Sequence, residues 1–245
     1  NKNNTTNESK MKGLGDIIAY HNSTTVDWLG GFVQGKYTKD KINLYGMGGL
    51  SSIKYSYQDH FTVANEVVNA DAISTFQVKG GIMYDVDDNV SVFANTGYVE
   101  KPPIMDNVIY YDGTVASDPL NESFISSEAG VNFESEKFAV KVSAYNTDWK
   151  DRNLTKAVTT GQGDSGDTDV IFLKGIGQKH QGLEIEGSMK LNDMIRLDGA
   201  VSFGKWKFDG DADGLYTEYA EDAPKQTSYT YTLDGLYVGD QPQTA

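Results

Sequence analysis

Hydrophobic and polar residues alternate with a period of two in several parts of the chain. From Ile195 to Phe203, apolar or small residues occupy every second position, with polar or small residues between them. Similar alternation covers 90–94, 138–144 and 183–191. Successive side chains of a strand point to opposite faces, so each segment is predicted to be a strand with one dry and one polar face. No segment has comparable helical spacing, and the sequence therefore predicts an all-β protein.

Short turns and long polar connections alternate between the predicted strands. The short turns are polar, as hairpin turns usually are, and are expected at 38–41, 85–89, 134–137 and 192–193, with a fifth candidate at 239–242. The long connections are expected at about 58–71, 100–122, 150–169 and 209–228. This sorting of loops by length is typical of up-and-down outer-membrane barrels, which have brief periplasmic turns and long extracellular loops.

The predicted strands number nine. They are 26–37, 42–57, 72–84, 89–99, 123–133, 137–149, 170–191, 194–208 and 229–239. Bacterial single-chain barrels have an even number of strands, and lipid does not tolerate an open sheet edge. We therefore expect residues 26–245 to be part of a larger antiparallel transmembrane β-barrel. Residues 1–25 are expected to be an extracellular loop or irregular segment.

The charge and composition narrow the range of partners. The chain has 21 basic and 35 acidic residues, a net charge of -14, which argues against a nucleic-acid partner. No apolar run approaches the roughly 18 residues of a transmembrane helix. The absence of cysteine excludes disulfides and thiolate metal sites. The negative charge falls mostly in turns, loops and polar-face positions, so the aliphatic face remains suited to lipid.

Several of these hairpins resemble those of TonB-dependent outer-membrane receptors. The segments that carry the resemblance are 30–37 with 41–46, 89–98, and 181–187 with 195–199. The third pair is the most specific, because a Gly-x-Glu strand is followed by a two-residue turn and a second alternating strand. The resemblance implies a barrel of 22 strands, to which this chain contributes about nine, while the plug domain and the last strands lie outside it.

The resemblance also implies a function. Such a receptor binds a scarce nutrient (a siderophore, cobalamin, glycan or peptide) at its extracellular loops and imports it with TonB-derived energy. The implied partners are outer-membrane lipid, the TonB complex through the plug region, and a substrate-capturing lipoprotein. The implied location is the outer membrane of a Gram-negative cell, and no enzymatic chemistry is expected.

Three alternatives stay open on the residues alone. One is a small passive porin or adhesion barrel of eight or ten strands, and another is a soluble carbohydrate-binding β-sandwich. The third is a barrel enzyme that uses His60 or His180. The chain has three histidines, the other being His21, and none has a ligand partner at metal-binding spacing in the sequence.

An acidic segment near the end of the chain offers a candidate metal site. Asp209, Asp211 and Asp213, followed by Gly214, match the first half of a calcium loop. The twelfth position is Ala220, where the loop requires a bidentate glutamate. Calcium binding is one interpretation of this segment, a solvated acidic loop is the other, and no further cofactor is expected.

Tyrosines concentrate in the predicted long connections. A tyrosine has a flat apolar face and a polar tip, which suits stacking on a sugar or a planar chelate. The candidate ligand contacts are Tyr110, Tyr111, Tyr216 and Tyr219. An interfacial aromatic girdle explains the same residues equally well.

Overall fold

The structure is a computed structural model of the 245-residue chain. It describes residues 13–17, 21–60, 66–110, 113–160, 167–219, 224–239 and 243–244. Within the strands, the side chains of 155–160, 167–170, 217–219 and 224–226 lie outside this description. No helix in these ranges is long and apolar enough to cross a membrane.

Eleven antiparallel strands form one sheet in the described part of the chain. They are β1 (Asn22–Lys39), β2 (Ile42–Asp59), β3 (Val67–Asn69), β4 (Ile73–Asp85), β5 (Val90–Lys101), β6 (Glu122–Glu134), β7 (Phe138–Thr160), β8 (Asp167–Lys190), β9 (Arg196–Phe208), β10 (Ala212–Tyr219) and β11 (Pro224–Tyr231). A single 3-10 turn occupies Met105–Asn107 in these ranges. The all-β prediction is confirmed.

Nine of the strands follow one another along the sheet in the order β1-β2-β4-β5-β6-β7-β8-β10-β11. Two pairs share a neighbour: β3 and β4 both pair with β2, while β9 and β10 both pair with β8. The β9–β10 pair therefore acts as one long strand that is interrupted at 209–211. Eight of the nine predicted strands correspond to strands of this sheet. The ninth, predicted at 229–239, is mostly wrong, because β11 ends at Tyr231 and the residues after it form a turn with an isolated bridge at Tyr237.

The short turns are where the sequence predicts them, and side chains stabilise their backbones. Asp87 Oδ1 accepts hydrogen bonds from the N–H groups of Asn89 and Val90, and Asn192 Oδ1 does the same for Met194 and Ile195. Such side-chain bonds replace backbone pairing in tight turns. Most of the predicted turn at 239–242 lies outside the described residues.

Two of the predicted long connections are wrong. The 150–169 segment is mostly strand, because β7 extends to Thr160 and β8 begins at Asp167. The 209–228 segment contains β10 and most of β11, which pair with each other. These extensions are rich in threonine and charged residues and do not alternate, since a paired strand beyond the bilayer does not require a dry face.

Strand register separates an aliphatic face from a polar face. Residues paired across β6, β7, β8 and β9 form rows, and two rows of the aliphatic face are Ala129–Ala144–Leu183–Phe203 and Val131–Val142–Ile185–Val201. Two rows of the polar face are Gly130–Ser143–Glu184–Ser202 and Asn132–Lys141–Glu186–Ala200. The predicted alternation is thus kept in register across four strands.

The aliphatic face is the more exposed of the two. Leu183 is 52% exposed and Phe203 51%, whereas Ser143 on the polar face is 2% exposed. A water-soluble protein buries its aliphatic side chains, so this inverted distribution indicates that the aliphatic face meets a non-aqueous environment. Along β9 and the residue before it, the apolar positions run from Ile195 to Phe203, about 27 Å, which approaches the roughly 9–11 residues of a tilted strand that crosses a bilayer.

The chain divides into two compact units. The first comprises 1–29, 51–74 and 103–119, and the second comprises 30–50, 75–102 and 120–245. In the first unit a small core holds Tyr55, Tyr57, Ala70, Val108 and Ile109. This core fixes the 103–119 connection against β2 and β3.

A buried tyrosine adds a polar contact to that core. The Tyr55 hydroxyl donates a hydrogen bond to the Pro103 carbonyl over 2.9 Å. A long connection is therefore anchored at its start by a specific bond.

The two faces predict unequal losses of stability when a charge is added. Val131→Arg is expected to cost about 2–4 kcal/mol of folding stability in a bilayer, because the guanidinium faces hydrocarbon. Asn132→Arg, on the polar face one residue later, is expected to cost much less. Urea unfolding of the full-length gene product in phosphatidylcholine vesicles measures both. Equal losses would contradict the assignment of the faces.

Candidate ligand-contact site on the polar face

Four aromatic side chains form a continuous row on the polar face of the second unit. Phe124 and Trp149 have ring centroids 4.5 Å apart, Trp149 and His180 are 6.4 Å apart edge to face, and His180 stacks on Trp206 at 5.1 Å and 13°. We call this set, which draws on β6, β7, β8 and β9, the aromatic ledge. The ledge lies nearer to the long connections than the aliphatic rows do. Along β7 and β8, Tyr145 and Gly182 come between the level of those rows and the ledge.

An ion pair supports one end of the ledge. Glu122 is 6% exposed and receives both the Trp149 indole N–H, over 3.2 Å, and the Lys101 ammonium, also over 3.2 Å. A nearly buried carboxylate is stable when it is paired and hydrogen-bonded in this way. These contacts hold the Trp149 ring at a defined angle to the strand.

A β-bulge brings a cation to the ledge. The β7–β8 register shifts by one residue between Trp149 and Arg152, and Asp151 within the bulge has a positive φ of 57°. The shift turns Arg152 to the face of Trp149, which regular alternation would not allow because the two residues are three apart. The Arg152 guanidinium carbon lies 4.5 Å from the Trp149 ring centroid, in cation–π geometry.

Gln178 connects the cation to the histidine. It is 2% exposed, and its Oε1 accepts a hydrogen bond from Arg152 Nη1 over 3.2 Å. His180 Nε2 lies 3.1 Å from the same oxygen. An amide oxygen only accepts, so the histidine nitrogen is the donor. The buried Gln178 amide therefore orients both the Arg152 guanidinium and the His180 ring.

The Gly-x-Glu strand has a structural role at the other end of the ledge. Trp206 Nε1 donates to the Tyr145 hydroxyl over 2.8 Å, and the Tyr145 ring crosses over Gly182. A Cβ on Gly182 would lie 2.6 Å from the Tyr145 oxygen and 2.6 Å from the Phe203 carbonyl. Only glycine leaves room for this ring to reach Trp206.

The predicted acidic segment is partly strand. Asp211 Oδ1 accepts the N–H groups of Leu233 and Asp234, and Asp213 lies in β10, where its Oδ1 accepts the Thr230 hydroxyl. In the described ranges no group of three or more histidine or carboxylate side chains is placed to hold a metal ion. The contacts seen for Asp211 and Asp213 join β10 to the β11 region, and calcium binding stays a prediction.

The four predicted tyrosines occupy different elements. Tyr110 lies in the 103–119 connection and bonds through its N–H to the Thr114 carbonyl. Tyr216 lies in β10 opposite Ile171 and Thr227. Tyr111 and the Tyr219 side chain lie outside the described residues. Their role as ligand contacts stays a prediction.

Two of the three histidines are paired in space. His21 and His60 have ring centroids 4.3 Å apart, and His60 Nε2 lies 2.9 Å from the Ser23 hydroxyl. Because β1 and β2 form a hairpin, residues 39 apart become neighbours, which sequence spacing does not show. His180, which the sequence offered only as a candidate residue of a barrel enzyme, belongs to the aromatic ledge.

The sheet exposes its aliphatic face, pairs its strands antiparallel, and has short turns at one end and long connections at the other. Together these features define the wall of an outer-membrane β-barrel. The sequence matches the family described as "TonB dependent receptor-like, beta-barrel" over residues 1–245, and the chain belongs to that family. Its location is accordingly the outer membrane of a Gram-negative bacterium. The family prediction from the hairpin residues is confirmed.

Solved structures share the fold at low sequence identity. The chain is similar to the copper transporter OprC (15% identity, TM-score 0.54), the ferric-catecholate import receptor Fiu of K12 E. coli (13%, 0.56) and the FrpB iron transporter of Neisseria meningitidis (16%, 0.51). These matches cover 84%, 85% and 86% of this chain. The chain spans only 34%, 34% and 33% of those proteins. Comparison with curated proteins gives no match.

The glycine beneath Tyr145 yields a stability prediction. Gly182→Ala is expected to cost about 1–3 kcal/mol, because the new methyl group overlaps a side chain and a backbone carbonyl. Gly187→Ala on the same strand is the control, since its Cβ would have 3.8 Å to the nearest atom. Urea unfolding in vesicles measures stability, and tryptophan fluorescence reports the Trp206 environment. A fluorescence change in the control but not in Gly182→Ala would contradict this packing.

Proposed function

We propose that this chain forms part of the wall of an outer-membrane importer, which binds a scarce small-molecule nutrient on its extracellular side and admits it with TonB-derived energy. The observation that carries the proposal is the aromatic ledge with Arg152, on the polar face of a chain of the TonB-dependent receptor family. A polar barrel face borders the lumen, and long connections lie at the extracellular end in such barrels. The ledge then borders the path of an entering ligand.

The chemistry of the ledge favours a flat ligand with negative charge. Aromatic faces provide stacking surface, and a guanidinium provides forked donors that match carboxylate or similar oxygens. The Arg152 guanidinium lies on the Trp149 ring, and Lys101 and Glu122 are paired with each other. Arg152 therefore brings positive charge to the ring surface on which a flat anion would stack.

Further contacts and partners extend the proposal. Tyr110, Tyr111, Tyr216 and Tyr219 are proposed as further ligand contacts. Energy coupling is proposed to act through a plug region and the TonB complex, and a substrate-capturing lipoprotein is proposed as an outer partner. Siderophore, cobalamin, glycan and peptide are the ligand classes to compare.

The rival functions are less well supported. The solved structures with the same fold are a copper transporter, an import receptor and an iron transporter, and none of these descriptions names an enzyme. The exposed aliphatic face argues against a soluble sugar-binding sandwich. A passive porin shares the fold, so its separation from an active importer requires a measurement of energy dependence.

The buried amide provides the sharpest test of the ledge. Gln178→Leu keeps the size of the side chain but removes the acceptor that orients Arg152 and His180. Loss of one hydrogen bond to a charged group corresponds to about a tenfold higher half-maximal ligand concentration. The matched control is Gln181→Leu, on the opposite face of the same strand, where Gln181 bonds Asn146 over 2.8 Å.

The measurement is uptake in a strain that lacks the native gene and carries each full-length variant. The probes are a labelled ferric catecholate, a ferric hydroxamate, cobalamin and an oligosaccharide. We expect uptake of one probe to require the gene and TonB, and Gln178→Leu to weaken it selectively. Uptake that persists without TonB would indicate a passive pore. Equal effects of the two glutamine variants on uptake would show that the ledge does not contact the ligand.

A further inference from the structure

Three lysines cluster on the aliphatic side of the sheet, just beyond the apolar rows. Lys179 of β8 lies directly opposite Lys207 of β9, and Lys205 is two residues from Lys207 on the same face. The row after Gln181–Lys205 on the same side of the sheet is Leu183–Phe203, the first of the apolar rows. We call Lys179, Lys205 and Lys207 the lysine patch.

The placement of the patch is electrostatically unusual within the chain. Like charges directly opposite each other on a sheet destabilise the pair, yet Lys179 and Lys207 face each other in a chain whose net charge is -14. Among the ion pairs of the described residues, one carboxylate serves the patch: Asp148, 3.6 Å from Lys179. With Asp209, two residues beyond Lys207, counted as well, three cations still outnumber two anions and leave a local excess of positive charge.

An aromatic residue completes the patch. The Lys207 ammonium lies 4.9 Å from the Tyr237 ring centroid, and Tyr237 is 60% exposed. Lysine and tyrosine side chains together at the edge of an apolar band are typical of a membrane–water interface, where the ring lies at headgroup level. Lys179 is also about half exposed. The patch is therefore positioned where lipid headgroups meet the barrel.

We propose that the lysine patch binds the phosphate groups of a phosphorylated lipid in the outward-facing leaflet. The long connections mark the extracellular end of the strands, so the patch lies at that leaflet and not at the periplasmic one. A lipid phosphate between Lys179 and Lys207 offsets their mutual repulsion, while its acyl chains lie against Leu183 and Phe203. The inference is independent of which nutrient the receptor carries.

The test uses the full-length protein in phosphatidylcholine nanodiscs that contain either diphosphorylated lipid A or the same lipid without phosphates. The variant is Lys179→Gln, Lys205→Gln, Lys207→Gln. The control carries the same charge change at the short-turn end: Lys39→Gln, Lys137→Gln, Lys190→Gln. At about fivefold for each lysine, the variant is expected to bind the phosphorylated lipid on the order of a hundredfold more weakly. The control is expected to bind like the parent protein.

Two further measurements test the proposal if the triple glutamine variant does not fold. In the unaltered protein, binding of the phosphorylated lipid is expected to weaken steeply with salt and to exceed binding of the dephosphorylated lipid. The conservative variant Lys179→Arg, Lys205→Arg, Lys207→Arg is expected to keep this binding. Salt-insensitive binding, equal binding of both lipids, or full competition by inorganic phosphate at matched concentration would overturn the proposal. So would unchanged binding by the glutamine variant.

Discussion

The pairing of every backbone N–H and C=O across neighbouring strands is the constraint on which the rest of this structure depends. In hydrocarbon an unpaired group costs several kcal/mol, so strands that cross a bilayer must stay in unbroken register. The β5–β6 and β6–β7 ladders each keep twelve residue pairs without a shift. Because side chains alternate, that register also decides which residues meet lipid. A slip of one residue would move the side chains of Lys141 and Glu186 to the aliphatic face.

The candidate site lies where this constraint ends. The bulge at Trp149–Arg152 breaks the β7–β8 ladder on the long-connection side of the aliphatic rows, where water is available to the unpaired groups. The break changes the face of one arginine and thereby places a cation on an aromatic ring. Gln178 and Glu122, both nearly buried, then fix the orientations that the bulge creates. The bulge, which would not be tolerated within the hydrocarbon region, thus creates the candidate ligand-contact site outside that region.

The sequence predicted the parts of the fold that the bilayer controls. Alternation from Ile195 to Phe203 and the short turns identified the strands, because lipid on one face demands aliphatic residues at every second position. The same reasoning missed the strand extensions at 150–169 and 209–228, where neither face must be dry. The hairpin pairing of His21 with His60 was also invisible, since it depends on strand register over 39 residues.

Arg152 was missed for a related reason. A bulge has no strong sequence signal, and regular alternation places Arg152 on the opposite face from Trp149. The signal that was available is the polar run at 150–153 between two alternating segments, which marks a place where register can change. Gln178 and His180 lie on the polar face as alternation requires, but the convergence of Arg152 and His180 on the Gln178 amide oxygen depends on side-chain geometry.

The most direct test of the two-faced wall is a scan of single cysteines along β6, with any cysteine outside these 245 cysteine-free residues replaced by serine. Each position from Ile125 to Phe133 is replaced in turn in the full-length protein, reconstituted in vesicles, labelled with a fluorophore and exposed to a water-soluble or a lipid-borne quencher. We expect water-phase quenching at Ser126, Glu128, Gly130 and Asn132, and lipid-phase quenching at the five alternate positions Ile125, Ser127, Ala129, Val131 and Phe133. A pattern without alternation, or one with the two sets exchanged, would contradict the assignment of the polar face to the lumen.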